Sequence, residues 1–264
     1  MPNDASGGIF TGERLVADDP LFIADFSRHL IAYQFAQERV REQVVLDAGC
    51  GDGYGAELLA QTARRVLGVD RSAESIAVAA RRYRRANLQY RVCELTALNA
   101  LGERFDAVCN FQVIEHLADP LPFVRQVREV LQPGGWFIVT TPNRPCSLVE
   151  NPYHVHEYAA AELAALLRGV FSHVEVQGVC GNERAMAYDR ARAARALRIL
   201  RLDPFGVRNL LPRGVVAWAY PRLARLVRRQ VTQAGPDAAA ITAADFHINA
   251  DCEGALDLLA LCRA

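Results

Sequence analysis

The stretch VVLDAGCGDGYGAELLA, residues 44–60, constrains this chain more than any other. A short apolar run ends in Asp47, glycines follow at 49, 51, 53 and 55, and a helix-like run begins at once. A strand that empties through a glycine turn into a helix is the first half of a βαβ unit. The pattern then repeats. Strand-like runs at 43–48, 66–70, 88–92, 106–111 and 135–141 alternate with helix-like runs at 53–64, 72–85 and 119–132. Pro133-Gly134-Gly135 reads as the stop signal of the last of these helices. Residues 21–41 read as a helix before the first strand, and a helix at 159–170 precedes a strand at 173–178. Such alternation predicts an α/β fold with a mostly parallel sheet covered on both faces. The run ALDLLALCR, 255–263, is ambiguous by period. It is read as the final strand, because the sheet needs an edge partner there.

Composition narrows the partners little. The chain has 264 residues, 51% of them hydrophobic, enough for one large domain with a proper core. Thirty basic residues, all arginine, balance thirty acidic ones. Seven scattered cysteines form no CxxC pair, so neither a disulfide framework nor a zinc site is expected, and a reducing, cytoplasmic setting fits. The polar, acid-bearing N-terminus lacks the regions of a signal peptide, and no apolar run reaches the roughly 18 residues of a membrane span. Charge is nonetheless unevenly placed. Residues 181–232 hold 12 arginines against Glu183, Asp189 and Asp203, a net of +9. Arg192, Arg195, Arg198 and Arg201 recur every third residue of a predicted helix. Such an insertion is either an ordinary solvated helix surface or a lid whose basic face meets an anionic substrate or a membrane surface.

The glycine loop admits two ligands. Gly51-x-Gly53-x-x-Ala56 satisfies the dinucleotide pattern, and Asp70 ends the second strand about where a ribose-binding acid belongs. A pyrophosphate, however, needs unopposed N–H groups and a positive helix end. Here Asp47 and Asp52 flank the loop, and no arginine lies between 42 and 63. An acidic loop repels phosphate and suits a cation without one. S-adenosylmethionine (SAM) is such a ligand. Asp47 is placed to attract its ammonium, Gly49, Gly51 and Gly53 let backbone approach its amino-acid part, and the Asp70 carboxylate can accept from both ribose hydroxyls. Asp52 is read as a helix N-terminal residue.

These residues resemble the class I SAM-dependent methyltransferases. VLDAGCGDGYG is similar to their first motif, VLGVDRS to their second strand, FDAVCNFQVIEHLADP to the fourth strand with its loop, and LQPGGWFIVTTPN to the fifth. The match runs over about residues 43–143 and is closest to the small-molecule branch that includes ubiquinone-type O-methyltransferases. Outside it, Gly12-Glu13-Arg14 and RHLIAYQFA, 28–36, resemble N-terminal elements of that branch, with His29 and Tyr33 matching while Arg28 and Ala32 depart from its pattern. NPYHVHEY, 151–158, resembles an element that faces the acceptor. The resemblance implies a doubly wound, seven-stranded, Rossmann-like methyltransferase sheet whose last two strands form an antiparallel edge, here 173–178 and 255–263 with a helical insertion before the last strand. The implied organisation is an N-terminal lead-in and helix covering the cofactor site, 1–42, a SAM-binding core, 43–180, an arginine-rich lid, 181–250, and a final core strand, 251–264. It also implies Glu94 against the adenine, where the family often has Gly-Asp, and Gln112 near the methionine end. With the chain neighbours Arg71 and Leu95, and with Tyr33 from the first helix, the expected cofactor set is complete.

Methyl transfer from a sulfonium needs an acceptor held in line, and an alcohol or phenol acceptor must also lose a proton. His116, in IEHL after the fourth strand, is the leading candidate base. The EH pair can instead orient its loop. His154 and His156 are rivals, with Glu157 as an orienting acid. Glu115, His154 and His156 can also be read as metal ligands, but their spacing matches no recognised motif and no metal is expected. The expected activity is O-methylation of a small-molecule hydroxyl on a secondary metabolite, quinone, glycan or lipid-linked substrate. Competing readings are an NAD-dependent oxidoreductase and a non-catalytic partner subunit of the same fold. Nucleic acid is disfavoured as a substrate, because NPYH lies in the wrong place for a base-methyltransferase motif.

Overall fold

The computed structural model describes residues 19–147, 151–201, 213–234 and 240–264. Gly12-Glu13-Arg14 and parts of the arginine-rich insertion lie outside them. The chain divides into two compact units, one of Met1–Arg28, Ser147–His154 and Gly181–His247, the other of His29–Cys146, Val155–Cys180 and Ile248–Ala264.

The sheet comprises β1 (Val44–Ala48), β2 (Arg65–Asp70), β3 (Leu88–Val92), β4 (Phe105–Phe111), β5 (Leu131–Pro142), β6 (His173–Gly181), β7 (Phe246–Asn249) and β8 (Asp257–Arg263). Their spatial order is β3-β2-β1-β4-β5-β8-β6-β7. The first five run parallel, and β8 lies antiparallel between β5 and β6. The expected pairing of 173–178 with 255–263 is therefore present. The strand count corrects the expectation of seven, because the described residues form an eight-stranded sheet. The extra strand, β7, falls inside the stretch read as a wholly helical insertion. Four residues, FHIN, are too few for a period-2 signal to stand out.

The helices are α1 (Ile23–Arg39), α2 (Tyr54–Leu59), α3 (Ala73–Arg82), α4 (Leu121–Val130), α5 (Ala160–Arg168), α6 (Glu183–Leu200) and α7 (Arg213–Ala234). The Ser72 hydroxyl caps α3 by accepting the Ser75 N–H at 3.2 Å. Helix α4 stops earlier than Pro-Gly-Gly suggested, because fully buried Leu131 already starts β5. Pro133, Gly134 and Gly135 instead make an irregularity within the strand. Its register against β4 jumps from Phe105↔Leu131 to Ala107↔Trp136, and Gly134 has φ +75°.

Alternation along the strands builds the core on both faces. Leu46, Val108, Phe137, Val139, Leu258 and Ala260 meet Phe123, Val124 and Val127 of α4 and Leu163 and Leu167 of α5. Val45, Ala107, Cys109, Ile138 and Leu259 meet Ala32 and Ala36 of α1 and Ala56 and Leu59 of α2. This two-sided burial is the physical basis of a parallel sheet. In the other unit, Arg228 of α7 donates two hydrogen bonds to Asp25, at 2.8 and 3.1 Å. Burial pushes the Asp25 carboxyl up, but Arg228, Arg192 and Arg28 outweigh it and hold it well below the carboxylate range.

Phe137 is fully buried, edge-on to Phe123 at 6.0 Å between ring centroids and stacked on Phe171 at 5.8 Å. Phe137→Ala is expected to destabilise the chain by about 3–5 kcal/mol. Urea unfolding followed by circular dichroism checks this, and a cost below about 1 kcal/mol contradicts the packing described.

Candidate active site

The order of strands reverses between β1 and β4, and open α/β sheets bind ligands at the carboxyl ends of strands at such a point. Two loops meet there, residues 49–53 after β1 and 112–116 after β4. Asp47, near the end of β1 in register with Gly68 and Cys109, has no access to solvent. The partner of both its carboxyl oxygens among the described residues is the Tyr33 hydroxyl, which donates over a long 3.4 Å to each. Burial lifts the Asp47 carboxyl to about 7, opposed in part by that hydrogen bond and reinforced to a lesser degree by the charge of Asp70.

Asp70 closes β2 and anchors the loop. One carboxylate oxygen accepts the Gly51 N–H at 3.1 Å and the other the Ser72 N–H at 2.8 Å. Gly49 donates to the Val69 carbonyl at 2.8 Å. Gly51 has φ +52°, and a Cβ there would meet nothing within 4 Å, so the loop keeps its backbone open to a ligand at this point. Gly53, at φ +88°, is held from behind by Tyr90 of β3, whose hydroxyl donates to the Gly53 carbonyl at 3.0 Å. A Cβ on Gly53 or on Gly68 would sit 2.7–2.8 Å from atoms of the Tyr90 side chain, so both glycines make the slot that this ring fills.

Rings crowd the same end of the sheet. Tyr33 lies edge-on to Phe111 at 4.7 Å, to His29 at 5.5 Å and to Tyr54 at 5.6 Å. His29 Nε2 lies 3.3 Å from the Phe111 carbonyl and Nδ1 hydrogen-bonds the Tyr54 hydroxyl. A carbonyl can only accept, which assigns the proton to Nε2 and makes Nδ1 the acceptor from Tyr54. Gly55 lets α2 approach Tyr33, since a Cβ there would lie 1.9 Å from the ring.

The structure thus brings Asp47, Gly49, Gly51, Gly53, Asp70 and Tyr33 to one place. Arg71 follows Asp70 as an exposed residue, and exposed Glu94 and half-buried Leu95 begin the 3-10 turn after β3. Gln112 is held at φ +57°, an uncommon conformation for a non-glycine residue, with its N–H on the Thr140 carbonyl at 3.0 Å. His116 ends the 3-10 turn Ile114–His116 and is half-buried. Its neighbour Glu115 is fully buried and accepts from the Thr141 hydroxyl at 3.1 Å. The Glu115 carbonyl takes the Val155 and His156 N–H groups at 2.8 and 3.1 Å, so it ties the loop after β4 to part of the NPYHVHEY segment. His156 is exposed, edge-on to Tyr158 at 4.7 Å. His154 belongs to the other unit, where it hydrogen-bonds Asn151 at 2.9 Å.

Tyr54, Tyr90 and Phe111 are absent from the expected set. The signals available for them were Gly55 in the helix start and Gly68 inside VLGVD, since a glycine inside a strand marks a close approach. Two substitutions test this packing. Tyr90→Phe keeps the ring and removes one hydrogen bond, with an expected cost of about 0.5–1.5 kcal/mol. Gly55→Ala forces Tyr33 off its place at about 1–3 kcal/mol and is expected to weaken SAM binding at least tenfold. Urea midpoints and calorimetric titration with SAM measure both. Unchanged affinity in Gly55→Ala contradicts a part for Tyr33 at the site.

Residues 46–139 match the family model described as a methyltransferase domain. A probable SAM-dependent methyltransferase of Mycobacterium tuberculosis is 34% identical over 263 residues, covering 95% of this chain and 88% of that one. Another from Mycolicibacterium smegmatis is 41% identical over 173 residues, but this match spans only 65% of that protein's length. The ubiquinone biosynthesis O-methyltransferase of Cereibacter sphaeroides is 43% identical over 102 residues, 38% of this chain and 41% of that protein. Among solved structures, a SAM-dependent methyltransferase from Thermotoga maritima superposes with a TM-score of 0.57 at 13% identity, over 92% of this chain and 91% of that one. The N-methyltransferase NodS from Bradyrhizobium japonicum, in complex with S-adenosyl-L-homocysteine, gives 0.52 at 20% identity over 64% and 83%. At such identities these two likenesses speak to the fold.

Proposed function

Because this chain belongs to the class I SAM-dependent methyltransferases, an enzyme family that takes SAM as its cofactor, we propose that it methylates a hydroxyl oxygen of a small molecule. The observation that carries the choice of oxygen is the 43% identity over 102 residues to a ubiquinone biosynthesis O-methyltransferase. The site fits the cofactor. Gly51 leaves open backbone, and the buried Asp47 carboxyl has only a distant partner in Tyr33 among the described residues.

SAM supplies a methyl already activated on a sulfonium. The chain's own groups bind and orient. Asp47 holds the ammonium, with Tyr33 fixing the carboxylate. Gly49, Gly51 and Gly53 accommodate the amino-acid part. Asp70, already braced by two backbone amides, takes the ribose hydroxyls. Glu94, with Leu95 and Arg71 beside the two acids, flanks the adenine and ribose, and Gln112 borders the methionine end. His116 accepts the proton that the acceptor hydroxyl loses as its oxygen bonds to the methyl, while His156 and Glu157 belong to the acceptor side.

Two expectations follow from these roles. With its carboxyl at about 7 in the free protein, against 3.8 in the unfolded chain, Asp47 is largely neutral below that pH. A group raised in this way stabilises the free fold most below 3.8 and loses that contribution as pH rises through about 7. Cofactor binding has the opposite dependence, because the ammonium needs the carboxylate. SAM affinity is expected to climb up to about tenfold per pH unit until pH 7. It flattens in Asp47→Asn, and a pH-independent wild-type affinity contradicts the assignment. For the acceptor, a screen of phenols, quinols, sugars and lipid-linked glycans read by S-adenosylhomocysteine release is expected to find turnover on a hydroxyl. His116→Ala then lowers kcat by about 10²–10⁴-fold at unchanged SAM affinity. Methyl placed only on nitrogen or carbon overturns the reading.

A further inference from the structure

The insertion helices carry a second feature that methyl transfer does not use. Several of their arginines are spent inward or on neighbouring acids. Arg184 pairs with Asp245, Arg192 with Asp189, Arg225 with Asp19, and Arg228 with Asp25. Arg198, Arg201 and Arg229 are exposed and form no ion pair among the described residues, and Arg190 meets only the exposed Glu183, at 3.3 Å.

These outward cations are not scattered. On α7, Val215, Arg222, Leu226 and Arg229 are all exposed, and at the helical repeat they share an arc of about 60°. On α6, Arg190, Ala194, Leu197 and Arg201 are likewise exposed and aligned within a similar arc, with Arg198 beside them. The opposite faces are the buried ones, with Ala185 and Tyr188 on α6 and Ala224, Val227 and Val231 on α7. Among the described residues, large apolar side chains are exposed at Val92, Val155, Leu197, Val215 and Leu226, and the last three lie on these stripes. Each stripe therefore sets guanidinium groups beside partly exposed aliphatic side chains.

We propose that the outward stripes of α6 and α7 bind the surface of an anionic lipid bilayer. The charge fits, since residues 181–232 carry a net +9 in a chain that is neutral overall. The aliphatic residues decide between polyanions. Arginines on a nucleic acid pair with phosphates and stack on bases, leaving Leu197, Val215 and Leu226 in water. At a bilayer the guanidinium groups meet headgroup phosphates while these side chains enter the acyl boundary. No helix among the described residues is long and apolar enough to cross a membrane, so the attachment is peripheral.

The test is co-sedimentation of the full chain with vesicles of phosphatidylcholine alone or with about a third phosphatidylglycerol, at physiological salt. Binding is expected to the anionic vesicles only, and to fall steeply as salt rises. The triple variant Arg198→Glu, Arg201→Glu, Arg229→Glu is expected to bind at least tenfold less. Leu197→Ser with Leu226→Ser is expected to weaken binding severalfold while leaving its salt dependence. Titration with SAM serves as the folding control and is independent of the lipid reading. The proposal is overturned by wild-type chain that stays in the supernatant with anionic vesicles, by a triple variant that binds as well as wild type, or by retention on RNA or duplex DNA without retention on vesicles.

Discussion

A carboxyl group shut away from water at the switch point of a parallel sheet is the constraint around which the candidate site is arranged. Leaving Asp47 ionised there without a cation costs several kcal/mol, and the free protein lowers that cost by raising its proton affinity. One phenol proton shared between two oxygens, each at 3.4 Å, is poor compensation for an anion. The site is thus built for a charge that the described residues do not provide. A pyrophosphate worsens this imbalance, and an ammonium relieves it. The family membership and the electrostatics of the loop reach the same cofactor by separate routes.

The surrounding rings make the arrangement stiff. Tyr33 holds its place because Gly55 yields to it on one side and Phe111 packs against it on the other. Tyr54 is tied to His29, and His29 to the end of β4. From the far side Tyr90 fills a slot cut by Gly53 and Gly68 and bonds the loop backbone. The glycines have different tasks: Gly51 faces open space, while Gly53, Gly55 and Gly68 make room for tyrosines. One loop is thereby fixed by three aromatic side chains from α1, α2 and β3.

Much of this was legible before the structure, for a physical reason. β1, β2 and β4 are short, mostly apolar runs ending in a glycine turn, an acid or a loop, and α4 has a clear helical period, so local pattern and burial agree. Asp47 and Asp70 declared themselves because acids at strand ends are costly unless used. What escaped depends on contacts far apart in sequence. Nothing near Tyr90 announces that its hydroxyl will meet Gly53, 37 residues away. The backbone bonds that occupy part of the Asp70 carboxylate arise from the turn it helps to form. β7 was hidden by its length. Pro133-Gly134-Gly135 misled in detail, because Leu131 is drawn into the core before the punctuation begins. The arginines of the insertion looked alike as a string. Only packing separates Arg228, buried against Asp25, from Arg201 and Arg229 on the outside.

The central claim is that Asp47 gives up its proton to accept the cofactor's positive charge. Calorimetric titration of SAM at pH 6, repeated in buffers of different ionisation enthalpy, counts the protons exchanged on binding. With the carboxyl at about 7 in the free protein, close to one proton is expected to leave per cofactor bound by the wild type, and none in Asp47→Asn. Binding at pH 6 with no proton released by the wild type contradicts the account.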